Sequence, residues 1–507
     1  MTDPLEGAAD AAAVPPDAAE RPPAAGWVAR RHSPRPMQGR WVAVAAVSAT
    51  VAVVAVVAAI VPPPTAAPAP GSGDGVGVAP AGAHSSSAFC SAGTGTAVAS
   101  TVYLTNTTVR TVDGVMTTIG TPGGNGAVPT VRRTVAVPPL GSEAVNPSGG
   151  MPAGDVASSF VFAGGGVAAN QVVGGPNGWS TAPCASQVSA LWSFAGGSTS
   201  PGNTLTLSLF NPTASQAVVN VSFLTGAGVI APQDYQGLVV PAGQLVVENV
   251  GDFVQNEPSI GTMVTAESGA VVGNELQQWS SGATGGVSLR LGSPEPSTTW
   301  RFAQTTALPG TTVNFSLANW GSVPVTAKFS LGLPSATVVP RSLVVPALSM
   351  AVFNATAIAG WPQGIPYAVT VEASGPIVVG RSVQAASGGP TPVWGSSSGT
   401  VTVATHWLVP GPGVANAPGA ANATVKSLAV ANPGSTPAQV VVTALGARTP
   451  VAMFTVAPHE LTVLGAHQVG GLSPFTVSSS QPVNVEEDDD PTGAPGVVSS
   501  SGFALGG

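Results

Sequence analysis

The chain has 507 residues, a formal net charge of −8 and a mean hydropathy of +0.34, with charged side chains at 7% and hydrophobic ones at 44%. So few charges exclude a charge-rich disordered polymer, and 64 Gly with 49 Pro exclude a helical bundle, since both residues interrupt helices. The length calls for several domains, and frequent β-branched Val and Thr favour short strands bounded by turns.

Residues 1–40 are rich in Ala and Pro and read as a disordered cytoplasmic segment. Arg21, Arg30, Arg31, Arg35 and Arg40 lie just before a charge-free apolar run, Trp41 to Val61. As a helix this run rises about 32 Å, the thickness of a hydrocarbon core, so residues 41–61 are expected to form a transmembrane helix. The Arg cluster places its N-terminal side in the cytoplasm and everything after residue 61 outside. A cleaved secretory signal is the competing reading, but this run is longer than a signal's apolar core and lies behind a long leader. Residues 62–87 read as a stalk of Pro, Gly, Ala and Ser that spans up to about 80 Å if fully polyproline-like. The exterior carries 10 basic and 18 acidic residues, a balance that repels phosphate backbones and excludes nucleic acid as a partner. Cys90 and Cys184, both exterior, are expected to form one disulfide, with two unpaired thiols as the alternative.

Beyond the stalk the chain repeats itself. Leu207, Leu209 and Asn211 are followed by Ala217, Val219 and Val221; Phe315, Leu317 and Asn319 by Val325, Ala327 and Phe329; Leu428, Val430 and Asn432 by Ala438, Val440 and Val442. A fainter copy holds Val102, Leu104, Asn106 and Val112. Alternation on both sides of a short Asn turn predicts an antiparallel hairpin with one buried face. A Val-Pro edge follows each Asn (Val137-Pro138, Val240-Pro241, Val345-Pro346, and Val456 with Pro458), and a later strand follows that, as at Val271-Val272-Gly273-Asn274 and Ile377-Val378-Val379-Gly380. Trp192 with Phe194, and Trp300 with Phe302, open two of the units as core anchors, and Trp407 is a diverged equivalent. The fold expected is all-β: tandem immunoglobulin-like β-sandwich repeats over 88–189, 190–297, 298–403 and 404–507. A closed propeller is the alternative, although these repeats are longer than ordinary blades.

The W-x-F-A opening, L-x-L-x-N-P, V-P-A-G and the Pro376–Val383 segment PIVVGRSV resemble the repeats of an actinobacterial extracellular domain family of unknown function. The resemblance is strongest from Trp192 to about Gln384. It implies a membrane-anchored, extracellular β-repeat protein for which the family defines no catalytic residues.

Few residues offer chemistry. No HExxH motif or Cys/His cluster occurs, and His406, His459 and His467 read as scattered surface residues. Gly395-Ser-Ser397-Ser-Gly399 matches the nucleophile-elbow pattern, yet it precedes a strand-like rather than a helical segment. Glu486, Glu487, Asp488, Asp489 and Asp490 form a dense acidic run, a weak Ca²⁺ candidate that lacks EF-hand spacing and reads first as a solvated sheet edge. Trp179, Trp279, Trp320, Trp361 and Trp394 adjoin Gly, Pro, Gln or Asn and are the candidates for stacking on sugar rings, weighed against burial at domain junctions.

The sequence therefore points to a non-catalytic cell-envelope scaffold or interaction protein with no cofactor, whose partner is a wall polymer or an envelope protein. A cell-wall glycan-binding module using exposed Trp residues is the alternative. Protease added to intact, wall-stripped cells is expected to digest an epitope placed after Cys90 and spare one near Asp10. Protection of a C-terminal epitope rejects this topology.

Overall fold

The computed structural model describes residues 75–91, 99–123, 126–175, 178–281, 284–334, 338–385, 394–410, 424–465, 467–469, 474–491 and 498–506. Residues 1–40, the expected span 41–61 and the first part of the stalk lie outside the described residues. Among the described residues no helix is long and apolar enough to cross a membrane. The compact unit Pro68–Gly507 is all-β and built from antiparallel sheets.

In the second repeat one sheet runs Gly228–Ile230, Ala217–Thr225, Ile260–Ser268, Leu191–Gly197, and the other Gln244–Asn249, Asn203–Asn211, Val272–Ser281, Thr284–Leu291. The same two strand orders recur in the other repeats. In the third and fourth, single long strands, Pro366–Ala385 and Phe475–Pro491, pass from one sheet into the other. Alternation turns one row of each sheet inward. Trp192, Phe194, Leu207, Leu209, Val219, Val221, Val271 and Val272 accordingly share one core.

The hairpin expected at each repeat Asn does not form. Asn203–Asn211 pairs with Gln244–Asn249 and Val272–Ser281, whereas Ala217–Thr225 lies in the opposite sheet. The Asn turn is an arch from one sheet to the other, and both strands alternate because both sheets bury their facing rows. The Asn side chain holds this arch. Asn319 Nδ2 donates to the carbonyls of Val323 (2.9 Å), Val345 (3.2 Å) and Pro346 (2.9 Å), while its Oδ1 accepts from the Gly321 N–H (3.0 Å). Asn106, Asn211 and Asn432 repeat the pattern, and all four are buried. One amide therefore closes the turn and pins the Val-Pro edge.

The opening strand is anchored in two chemically different ways. Trp192 Nε1 donates to Val271 O (2.7 Å) and Trp300 Nε1 to Ile377 O (2.8 Å), so each buried indole is satisfied. Two residues on, Phe194 covers Gly292 and Phe302 covers Gly399, with no room for a Cβ at either glycine. Isolated bridges align Phe89–Ala185 with Ser193–Ser293 and Arg301–Thr400. That alignment puts Cys90 and Cys184 at the Phe and Gly positions, where they form the expected disulfide, Cα atoms 4.7 Å apart. The first repeat thus replaces a Phe-over-Gly contact with a covalent bond.

The repeats are not strung in series. The final strand of the sheet that carries each hub Asn, Gly178–Pro183, Thr284–Leu291, Trp394–Ser398 and Val498–Ser501, touches the corresponding strand of the next repeat, and the fourth touches the first. Each would otherwise leave its sheet with a bare edge, so closing the ring covers all four. Val173 and Ala182 pack on Leu276, Val287 and Leu289 at the first seam, and Ala303 and Ala368 on Ala429 and Ala431 at the third. The closing seam corrects the expected stalk, whose last residues belong to the fold. Val78 is buried with Ala168, Leu408 and Phe503 and bridges Leu505 in parallel, and Gly75 O accepts from Ser186 N. An apolar Val in a Gly/Pro segment finds cover there.

Asn319→Ala is expected to cost roughly 3 kcal/mol, because it strands buried carbonyls and an N–H together. Asn319→Asp should rescue little, since a carboxylate cannot donate. Urea denaturation of the two variants checks this, and a loss near zero for either rejects the hub role.

Candidate functional site

The four last strands surround an axial cavity of about 90 Å³, lined by Thr181, Arg290, Ser396, Ser397, Ser499 and Ser500 among others. It has room for a few water molecules. Its hydroxyls are largely committed to one another and to buried charges. Ser288 and Ser396 share a 2.6 Å hydrogen bond, and Leu289 N donates to Ser180 Oγ (2.9 Å), each joining neighbouring repeats.

Arg381 dominates the site. Its Nη2 donates to Glu486 Oε1 (2.5 Å), Ser499 Oγ (2.6 Å) and Ser397 Oγ (2.9 Å), and its Nη1 to Thr305 Oγ1 (3.0 Å) and the Gln304 carbonyl. The guanidinium lies 5.3 Å from the Phe302 ring centroid. Gln304 N donates to Glu486 Oε2 (3.1 Å), and Ser499 donates to Glu486 Oε1. Both charges are buried and come from different repeats. Desolvation works against the Arg381 charge, but the carboxylates of Glu486 and Asp488 prevail and raise its pKa above the usual arginine value.

A second buried pair sits within the second repeat, where Glu275 and Arg290 are register partners at 2.6 Å. Burial pushes the Glu275 carboxyl above its ordinary range despite the opposing pull of Arg290. Arg290 Nη1 also donates to Ala195 O (2.6 Å). That carbonyl lies where a Cβ on Gly380 would stand, so the third repeat needs glycine there for its close approach.

The sequence candidates are reassigned accordingly. Ser397 lies in strand Trp394–Ser398 with no helix after it and accepts from Arg381, so the G-x-S-x-G match is part of a sheet rather than an elbow. Residues 486–490 lie in strand Phe475–Pro491, where neighbours alternate between faces, and Glu486 is taken by Arg381. Glu486 and Glu487, the first members of the acidic run, are buried rather than part of a solvated edge. Among the described residues no group of three or more His, Cys, Asp or Glu could hold a metal.

None of the five Trp candidates is exposed. Trp179 folds onto Gly174, and Trp361 packs between Phe353 and Tyr367. Trp279 meets Trp394 across a seam with centroids 5.3 Å apart. Trp179, Trp279 and Trp361 are buried, and Trp320 and Trp394 are half-buried. These rings cover junctions and core, because a strand end beside Gly leaves a gap that an indole fills. Sequence reasoning missed Arg381, Glu275 and Arg290 as the site's residues. Their signal was charge at inward-facing positions of alternating strands in a charge-poor chain.

Fold and site together define an all-β repeat protein whose buried charges lie at and beside the seams between its units. The chain belongs to a family of unknown function, DUF5719, whose model matches residues 153–416, just over half of its length. That match begins within the first repeat and ends within the fourth. Among curated proteins none matches. A solved structure, the tetra-tandem repeat in the extending region of a large adhesion protein, aligns over 79% of this chain and 97% of its own, at 13% identity and a TM-score of 0.12.

Glu486→Gln leaves a buried guanidinium without its counter-charge and is expected to cost about 3 to 5 kcal/mol. Replacing Arg381 and Glu486 together by Met should cost much less. Guanidinium-chloride denaturation of the two variants decides, and equal losses reject the pairing as the seam's constraint.

Proposed function

We propose that this chain is a single-pass cell-envelope protein of actinobacterial type. Residues 1–40 are cytoplasmic, 41–61 anchor it, and the β array stands outside as a non-catalytic scaffold or interaction module. Each repeat is read as an immunoglobulin-like sandwich of two sheets. The observation that carries the non-catalytic part is the state of the buried charges: Arg381 is held by Glu486, Ser397, Ser499 and backbone, and Glu275 by Arg290. Arg381 and Glu486, which satisfy each other across the ring with the help of Ser397, Ser499 and Gln304 N, stabilise it and have little capacity left for substrate. The exterior disulfide supports an oxidising compartment.

Cross-linking of intact cells, followed by fractionation and purification of the chain, tests this reading. The chain is expected in the membrane fraction, joined to a wall polymer or an envelope protein, and Ser397→Ala should leave that capture unchanged. Recovery from the cytosol without cross-links overturns it.

A further inference from the structure

The four seams differ at one register position. Beside the residue preceding each hub Asn, the neighbouring strand places Ala168 opposite Thr105, Val272 opposite Phe210, Val378 opposite Ala318, and Asn484 opposite Ala431. At three seams this position is apolar and packed. Phe210 meets Phe89 of the preceding repeat, Val378 and Ala318 share a cluster with Ala195 and Leu224, and Ala168 packs with Leu408 and Phe503.

At the third seam the pattern breaks. Mostly small residues, Ala303, Ala368, Ala429 and Ala431, with Leu461 and the partly buried Val463, pack there, and a cleft of about 240 Å³ stays open beside them. Asn484 lines this cleft. It is 1% exposed, and neither its Nδ2 nor its Oδ1 has a protein partner. An unpaired buried amide costs free energy that a Val would not, so its place here calls for a partner from outside the fold.

The rest of the lining narrows what that partner is. Arg301, Lys328 and His459 line it together with Glu372 and Glu460, and the formal charges of the two cations and the two acids balance, so the lining does not single out an ion of one sign. Lys328 and Glu372 already approach each other at 3.4 Å. Leu331, Ala368 and Pro433 add an apolar wall. We propose that this cleft binds a neutral sugar residue. A ring with one apolar face would lie on that wall. Its neighbouring hydroxyls, each both donor and acceptor, match the paired donor and acceptor of the Asn484 amide and the mixed charges of the rim. None of the five Trp candidates lines the cleft, and binding there does not depend on membrane placement.

Saturation-transfer NMR on the full chain with D-glucose, D-galactose, D-mannose and N-acetyl-D-glucosamine, each at millimolar concentration, tests the proposal, with the Ala-Ala dipeptide as the other class of probe. Transfer to ring protons of at least one sugar is expected. Asn484→Val, which restores the apolar character this position has at the other seams, should weaken that sugar's binding about tenfold while leaving the melting temperature unchanged or higher. Glu372→Gln, at an exposed rim position, should also weaken it and keeps the test open if the first variant fails to fold. No transfer to any of the four sugars, transfer to the dipeptide alone, or sugar binding unchanged in the folded variants overturns the proposal.

Discussion

The buried amide of the repeat Asn is the contact on which the architecture depends. An arch between two sheets strands its own carbonyls and N–H groups, and without a partner they would be buried unsatisfied. Asn211 donates to Ser215 O and Val240 O and accepts from Thr213 N, so a single side chain closes the arch and clamps the incoming edge strand. Asp could not donate and Gln would not fit the same short span. Once the arch is fixed, each repeat has two sheets with facing apolar rows, and its last strand is left with an uncovered side.

That uncovered side explains the ring. The strands Thr284–Leu291 and Trp394–Ser398 meet through Ser288 and Ser396, and backbone polar groups near the axis find hydroxyl partners such as Ser180. Serine suits the position because it is small enough for four strands to converge and can both donate and accept. The same convergence takes Arg381 and Glu486 out of water. With desolvation that severe, the pair persists only because Ser397, Ser499, Thr305 and the Gln304 backbone complete its hydrogen bonds.

Much of each unit was legible in the sequence, and the ring was not. Alternation at Leu207, Leu209, Val219 and Val221 marked inward rows correctly, and Trp192 and Trp300 marked the anchors, because both signals depend only on neighbours along a strand. Whether two alternating strands pair with each other or face each other is a long-range fact, and alternation is the same in both cases. Hence the arch read as a hairpin. The disulfide was legible from the even count of two cysteines, but its equivalence to Phe194 over Gly292 needed the bridges that align the repeats. The ring was hidden because its seams use Ser, Ala and Gly, which carry no periodic signal, and for the same reason the Trp residues left two readings open, stacking on sugars and burial at junctions. Beside Gly or Pro, an indole that closes a junction has the same local sequence as one that faces solvent.

The seams also limit how the ring can assemble. Four units of one fold could in principle dock in any order, and identical seams would allow exchange between units or between chains. These seams are chemically distinct. The first pairs Phe89 with Phe210, the second brings Gly380 against Ala195 O and Trp394 against Trp279, the third buries Arg381 with Glu486, and the fourth adds Val78 beside Leu505. A unit placed in the wrong seat would set a buried charge against an apolar patch or a side chain against a backbone that requires glycine. Either mismatch costs more than a correct seam gains from its apolar contacts. Divergence among the repeats, which weakens their resemblance in sequence, is therefore what gives each unit a single good neighbour.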